Sequence, residues 1–150
     1  MKCWGLSRKA MRLKPESEYY KYIIIMSTLN KDELIHEIGK MIVSDEEYSD
    51  DDWSAISVVG KFKGTSSRIQ GYVYLEEGTW EAATPENLGF ESLLQSLRDE
   101  MKKEAGGEHW KSCLIQIKRN DMSVNVKFDY ESENTWTDDL STLPDRLRPS

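Results

Sequence analysis

Between residues 30 and 130 the spacing of apolar side chains switches back and forth between a helical and a strand period, which restricts the chain to a mixed fold. Leu34, Ile35, Ile38, Met41 and Ile42 recur at helical spacing and predict an amphipathic helix over about 31–43. Its start is marked by Asn30-Lys31-Asp32-Glu33, a capping box in outline, with Glu33 placed to reach back to Asn30. Trp53 to Lys63 then alternates, with Ile56, Val58 and Phe62 on one face, and reads as a strand. After the turn Gly64-Thr65-Ser66-Ser67, a second strand spans about 68–76, with Ile69, Val73 and Leu75 inward and Tyr72 and Tyr74 opposite. Glu77-Gly78 turns into a third strand near Thr79–Ala83, and Thr84-Pro85 ends the run.

Phe90, Leu93, Leu94, Leu97 and Met101 predict a second helix over about 88–105, stopped by Gly106-Gly107. Cys113, Ile115 and Ile117 alternate in a fourth strand. Asn120-Asp121 is the turn, and Val124, Val126, Phe128 and Tyr130 alternate in a fifth. The tail 131–150 is polar, and Pro144 and Pro149 discourage a long helix there. The order α-β-β-β-α-β-β implies an α+β fold, a five-stranded antiparallel sheet with both helices on one face. The opposite face, with Tyr72, Tyr74, Gln116 and Lys118, is expected to meet water or a partner.

The chain has 150 residues, enough for a single domain. Residues 1–25 differ in composition: Lys2, Arg8, Lys9, Arg12, Lys14 and Lys21 stand against Glu16 and Glu18, a net of +4 that leaves −11 for the rest. Tyr19-Tyr20-Lys21-Tyr22-Ile23-Ile24-Ile25 is β-prone without an evident partner. Residues 1–25 are therefore expected to be an upstream extension, with translation starting at Met26 and one domain over 26–150.

The charge balance narrows function. A net charge of −7 disfavours nucleic acid, whose phosphates need Lys/Arg clusters, and anionic membrane surfaces. Six of the eight residues from Asp45 to Asp52 are carboxylates. They lack the glycine and alternating ligands of a calcium loop, so no metal or cofactor is expected. Cys3 and Cys113 match neither a zinc nor a disulfide spacing, and the longest apolar run, Tyr22 to Met26, is too short to cross a membrane. Without a recognisable leader, the expected location is the reducing cytoplasm.

No catalytic set is evident. No Gly-x-Ser-x-Gly or phosphate-cradling glycine loop occurs, Cys113 lies inside an apolar strand, and His36 and His109 are far apart in the chain. An enzyme would have to centre on His109 with a nearby carboxylate, in a concave pocket. Binding suits the composition better. Trp53, Trp80 and Trp110 are expected to anchor the edge of the core, whereas Trp136 lies among Glu131, Glu133, Asp138 and Asp139, the composition of an interface anchor with a charged rim. The residues expected to face a partner are Asp45, Glu46, Glu47, Asp50, Asp51, Asp52, Glu76, Glu77, Asp129, Glu131, Trp136, Asp138 and Asp139.

The layout also resembles a known family. After the leading helix come Trp53-Ser-Ala-Ile-Ser-Val and Gly71-Tyr-Val-Tyr before an acidic turn. The helix with Leu93-Leu94-Gln-Ser-Leu97 follows, then a Gly–Trp110 junction, Val124-Asn-Val-Lys-Phe128-Asp129-Tyr130-Glu131, and Leu143-Pro144-Asp145-Arg146. This pattern, over about 30–146, resembles the YezG-type family of bacterial immunity proteins. The resemblance implies an antitoxin, made beside a secreted or contact-delivered toxin of growth inhibition, often a nuclease, and neutralising it by stoichiometric binding. An acidic surface complements the basic cleft of such a nuclease. The alternative is an acidic adaptor for some other basic protein.

Overall fold

The computed structural model describes residues 29–49, 52–137 and 143–149. The expected extension 1–25, and the start at Met26, lie outside the described residues. The elements are α1 (Lys31–Val43), β1 (Trp53–Lys63), β2 (Ser66–Leu75), β3 (Trp80–Ala82), α2 (Phe90–Glu104), β4 (Ser112–Lys118), β5 (Ser123–Asp129) and the short α3 (Leu143–Leu147). The five strands form one sheet in the order β3-β2-β1-β4-β5, and every neighbouring pair is antiparallel. The fold is α+β, as the alternating periods require.

Local chemistry sets the ends of the elements. At α1, the Asn30 side chain accepts from the Glu33 amide at 2.8 Å while Glu33 accepts from the Asn30 amide at 3.0 Å, the reciprocal cap read from the sequence. At the end of α2, Gly106 and Gly107 take φ of 71° and 96°, left-handed values that let the Gly107 amide turn back to Lys102 O at 3.0 Å.

One face of the sheet carries the main core. Ile56, Val58 and Phe62 of β1 and Cys113, Ile115 and Ile117 of β4 meet Leu34, Ile38 and Ile42 of α1 and Phe90, Leu93, Leu94 and Leu97 of α2. Trp110 is fully buried there, edge-on to Phe62 at 5.3 Å between ring centres. A register shift between Trp53 and Ala55 lets Trp53 join this core, where Arg119 stacks on its ring at 4.0 Å. Burial pushes the Cys113 thiol up to about 12, so this cysteine is a packing residue.

The second face differs from the sequence expectation. It is not left open: α3 lies across its centre, and Leu143 and Leu147 pack on Val59 and Leu114 with Tyr72 and Trp136 alongside. The polar residues of this face grip the backbone of α3. Ser57 donates to Leu147 O at 2.5 Å, Gln116 Nε2 donates to the same oxygen at 2.9 Å, and the Tyr74 hydroxyl donates to Pro144 O at 2.5 Å. Five residues of helix are too short to satisfy their own carbonyls, so the sheet supplies the donors. The polarity that read as a wet surface is the means by which a third layer is held.

Candidate partner-binding surface

The acidic residues expected to form one partner-facing group divide into separate places. Asp45 opens the 3-10 turn Glu46–Tyr48 that follows α1, and only 2% of its surface is exposed. Its carboxylate accepts from the amides of Glu47 at 2.9 Å, Glu86 at 3.0 Å and Asn87 at 2.9 Å. Asp45 is thus a buried clamp between the turn after α1 and the segment after β3. Its assignment to an exposed surface is corrected, because three converging amides draw a carboxylate inward.

The same junction is fixed by Tyr48, buried, whose hydroxyl donates to Ala83 O at 2.6 Å. Burial, with the charges of Asp45 and Glu47 beside it, pushes this phenol far above its ordinary range. Gly71 lies directly below. A side-chain carbon there would collide with Ala83 O and come within 2.8 Å of the Tyr48 hydroxyl, so only glycine allows the close approach.

With Asp45 folded in, Glu46 and Glu47 are the exposed acids of this turn. Partial burial and the neighbouring Glu86 and Asp45 raise the Glu47 carboxyl above its ordinary value. Asp52, also exposed, lies at the start of β1, where its carbonyl accepts from the Glu76 amide at 3.2 Å. Glu76 and Glu77 form the exposed turn between β2 and β3, and Glu77 is held by the Thr79 hydroxyl at 3.0 Å. Asp50 and Asp51 lie outside the described residues. Asp52, Glu76 and Glu77 thus lie together by the start of β1, whereas Glu46 and Glu47 lie at the other end of β3, beside Ala83 and Glu86.

Asp129 and Glu131 are elsewhere. Asp129 pairs with Ser112, which pairs with Lys61, whereas Glu76 follows directly on Leu75, the partner of Trp53. Eight residues of β1 separate those two registers, roughly 26 Å at strand spacing. Asp129 is also engaged locally: the Thr135 hydroxyl and the amides of Glu131 and Ser132 donate to it and hold its carboxyl below the usual range. It organises the bend after β5. Glu131 is exposed, and Asp138 and Asp139 lie outside the described residues.

Trp136 and Trp80 exchange the parts read from the sequence. Trp136 is half-buried and packs on the cluster around Leu143 and Leu147, so it ties the tail to the second sheet face. Trp80, expected at the edge of the core, is instead 44% exposed, its ring edge-on to Tyr72 at 5.8 Å. A strand only three residues long at the sheet edge cannot bury both faces. Glu81 and Glu86 were likewise missed, one inside that strand and one set beside Glu47 by the Asp45 clamp.

His109 has a carboxylate neighbour. Its Nε2 lies 3.0 Å from Asp99 Oδ1, and Asp99 also accepts from Gln95 at 2.9 Å on the exposed side of α2. Beside this pair, Arg98 donates to Trp110 O at 2.6 Å and lies over the Phe62 ring at 4.7 Å. These contacts seal the bottom of the core between α2 and β4. Among the described residues no group of three or more His, Cys, Asp or Glu side chains is placed to hold a metal ion. No described helix is long and apolar enough to cross a membrane. No family model matches the chain, and no curated protein matches it.

Proposed function

We propose that this protein is an immunity protein that neutralises a basic toxin, of which a nuclease domain is the fitting chemical class, by occupying it. The observation that carries this reading is the exposed carboxylates at the two ends of β3, Glu46 and Glu47 at one and Asp52, Glu76 and Glu77 at the other, on a chain of net charge −7. Partial burial, then repulsion from Glu86 and Asp45, raises the Glu47 carboxyl. A cationic partner relieves that repulsion, and the long-range field speeds encounter, by roughly 10–1000-fold where charge is focused. The YezG-type pattern over about 30–146 supports the same reading, and the cytoplasm, where an internal toxin must be met, is the proposed location.

The test is protection. Cells expressing the toxic product of a neighbouring gene should survive when this protein is co-expressed, and the purified pair should elute as a stoichiometric complex. Replacing Glu76 and Glu77 by Gln should lower the association rate and flatten its dependence on salt. Absence of protection against every neighbouring toxic product would refute the reading.

A further inference from the structure

Among the described residues no strand pairs with the outer side of β3, and that side has a defined hydrogen-bonding character. Val73 pairs with Glu81, and the flanking bonds Leu75 N to Thr79 O and Ala83 N to Gly71 O, both 2.9 Å, fix the odd-numbered residues as those turned toward β2. Neighbouring residues in an antiparallel ladder point their backbone groups in opposite directions. Trp80 and Ala82 therefore direct their N–H and C=O groups away from the sheet, along its edge. All three residues of β3 are exposed. Tyr72 braces the Trp80 ring, so the indole is presented rather than loose.

The charge around this edge is predominantly negative. Glu76, Glu77 and Glu81 are all exposed, and the nearby Arg148 guanidinium, which donates to Gly78 O at 3.1 Å, is itself bridged to Asp145 at 3.6 Å. Short, charged edges ordinarily keep sheets from pairing with one another. These carboxylates do that toward any acidic strand, including a second copy of this chain. They do the reverse toward a cationic one, and an exposed Trp is the opposite of a protective residue. Resting on the reading of the protein as a receptor for a basic partner, we infer that β3 is its docking edge. The occupant is an extended Lys/Arg-bearing segment of that partner, added as a sixth strand with Trp80 as the apolar anchor.

The probe is a capped peptide, Lys-Val-Lys-Val-Lys-Val-Lys, titrated into the isotope-labelled full chain, with hepta-lysine as the charge-only control. Saturable amide shifts at residues 79–83 and at the Trp80 indole, with slowed hydrogen exchange at the Trp80 and Ala82 amides, are expected. Trp80→Ala, and separately Ala82→Pro, which removes an outward N–H, should each weaken binding by about tenfold or more while leaving the rest of the spectrum unchanged. No saturable response, shifts centred away from β3, or an equal response to hepta-lysine would overturn the docking edge. Protection from the toxin is read separately, so a protein that protects but binds elsewhere loses this inference and keeps the proposed function.

Discussion

The Tyr74 hydroxyl donates to Pro144 O at 2.5 Å, a bond that joins β2 to a helix seventy residues later in the chain. Tyr74 is fully buried at that contact. Tyr74→Phe removes the donor and leaves a buried carbonyl unpaired, and should destabilise the protein by roughly 1–3 kcal/mol. Urea titration followed by Trp fluorescence measures it.

The same phenol makes stability sensitive to alkali. Burial pushes Tyr74 up to about 12, partly offset by the Ser57 hydroxyl and the Arg148 charge. The unfolded chain releases this proton near 10, so between 10 and 12 the folded state holds a proton that the unfolded state has lost. The Tyr74 contribution should be intact below pH 10 and be lost as pH rises through that window. Tyr74→Phe should flatten the fall, as read by denaturation at stepped pH.

Asp45 is the acid whose loss the fold tolerates least. Asp45→Ala leaves the Glu47, Glu86 and Asn87 amides without their acceptor and should cost roughly 2–3 kcal/mol. Glu46→Gln, on the exposed surface, should cost less than about 0.5 kcal/mol. Equal effects from the two substitutions would contradict the clamp.

Gly71→Ala should be more damaging than its size suggests, because the new methyl group meets a backbone oxygen that cannot move aside. A loss of roughly 3 kcal/mol is expected, with a fall in thermal midpoint to match. Because Tyr48→Phe removes one of the two collisions, the double variant should lose less than the sum of the two single losses.

The two tryptophans should separate by readout. Trp136→Ala should lower stability by about 1–3 kcal/mol, since the ring covers Leu143 and Leu147. Trp80→Ala should lower it by less than about 1 kcal/mol and act on partner affinity instead. Chemical denaturation and calorimetric titration with the partner distinguish the two.

Periodicity was enough to place the elements of the main core. The residues spaced along α1, β1, α2 and β4 mark the face that each turns to the main core, and one such face is what alternation encodes. The second sheet face was not legible, because Ser57, Tyr74 and Gln116 look alike in sequence whether they meet water or backbone carbonyls. Only the position of α3 decides between these, and that is a tertiary fact. Charge was similarly ambiguous. Asp45 and Glu46 are neighbours in the same acidic run, yet one is enclosed by three amides and the other is exposed. The run showed how much negative charge exists but not where it points.

The layer formed by Leu143–Leu147 has a kinetic corollary. Ser57 and Leu147 are ninety residues apart, and closing so large a loop is entropically late work for a folding chain. The helical turn should therefore dock after the sheet has condensed and be the first piece to lift away. Proteolytic nicking within Leu143–Leu147 should then report that early opening, at a rate faster than global unfolding.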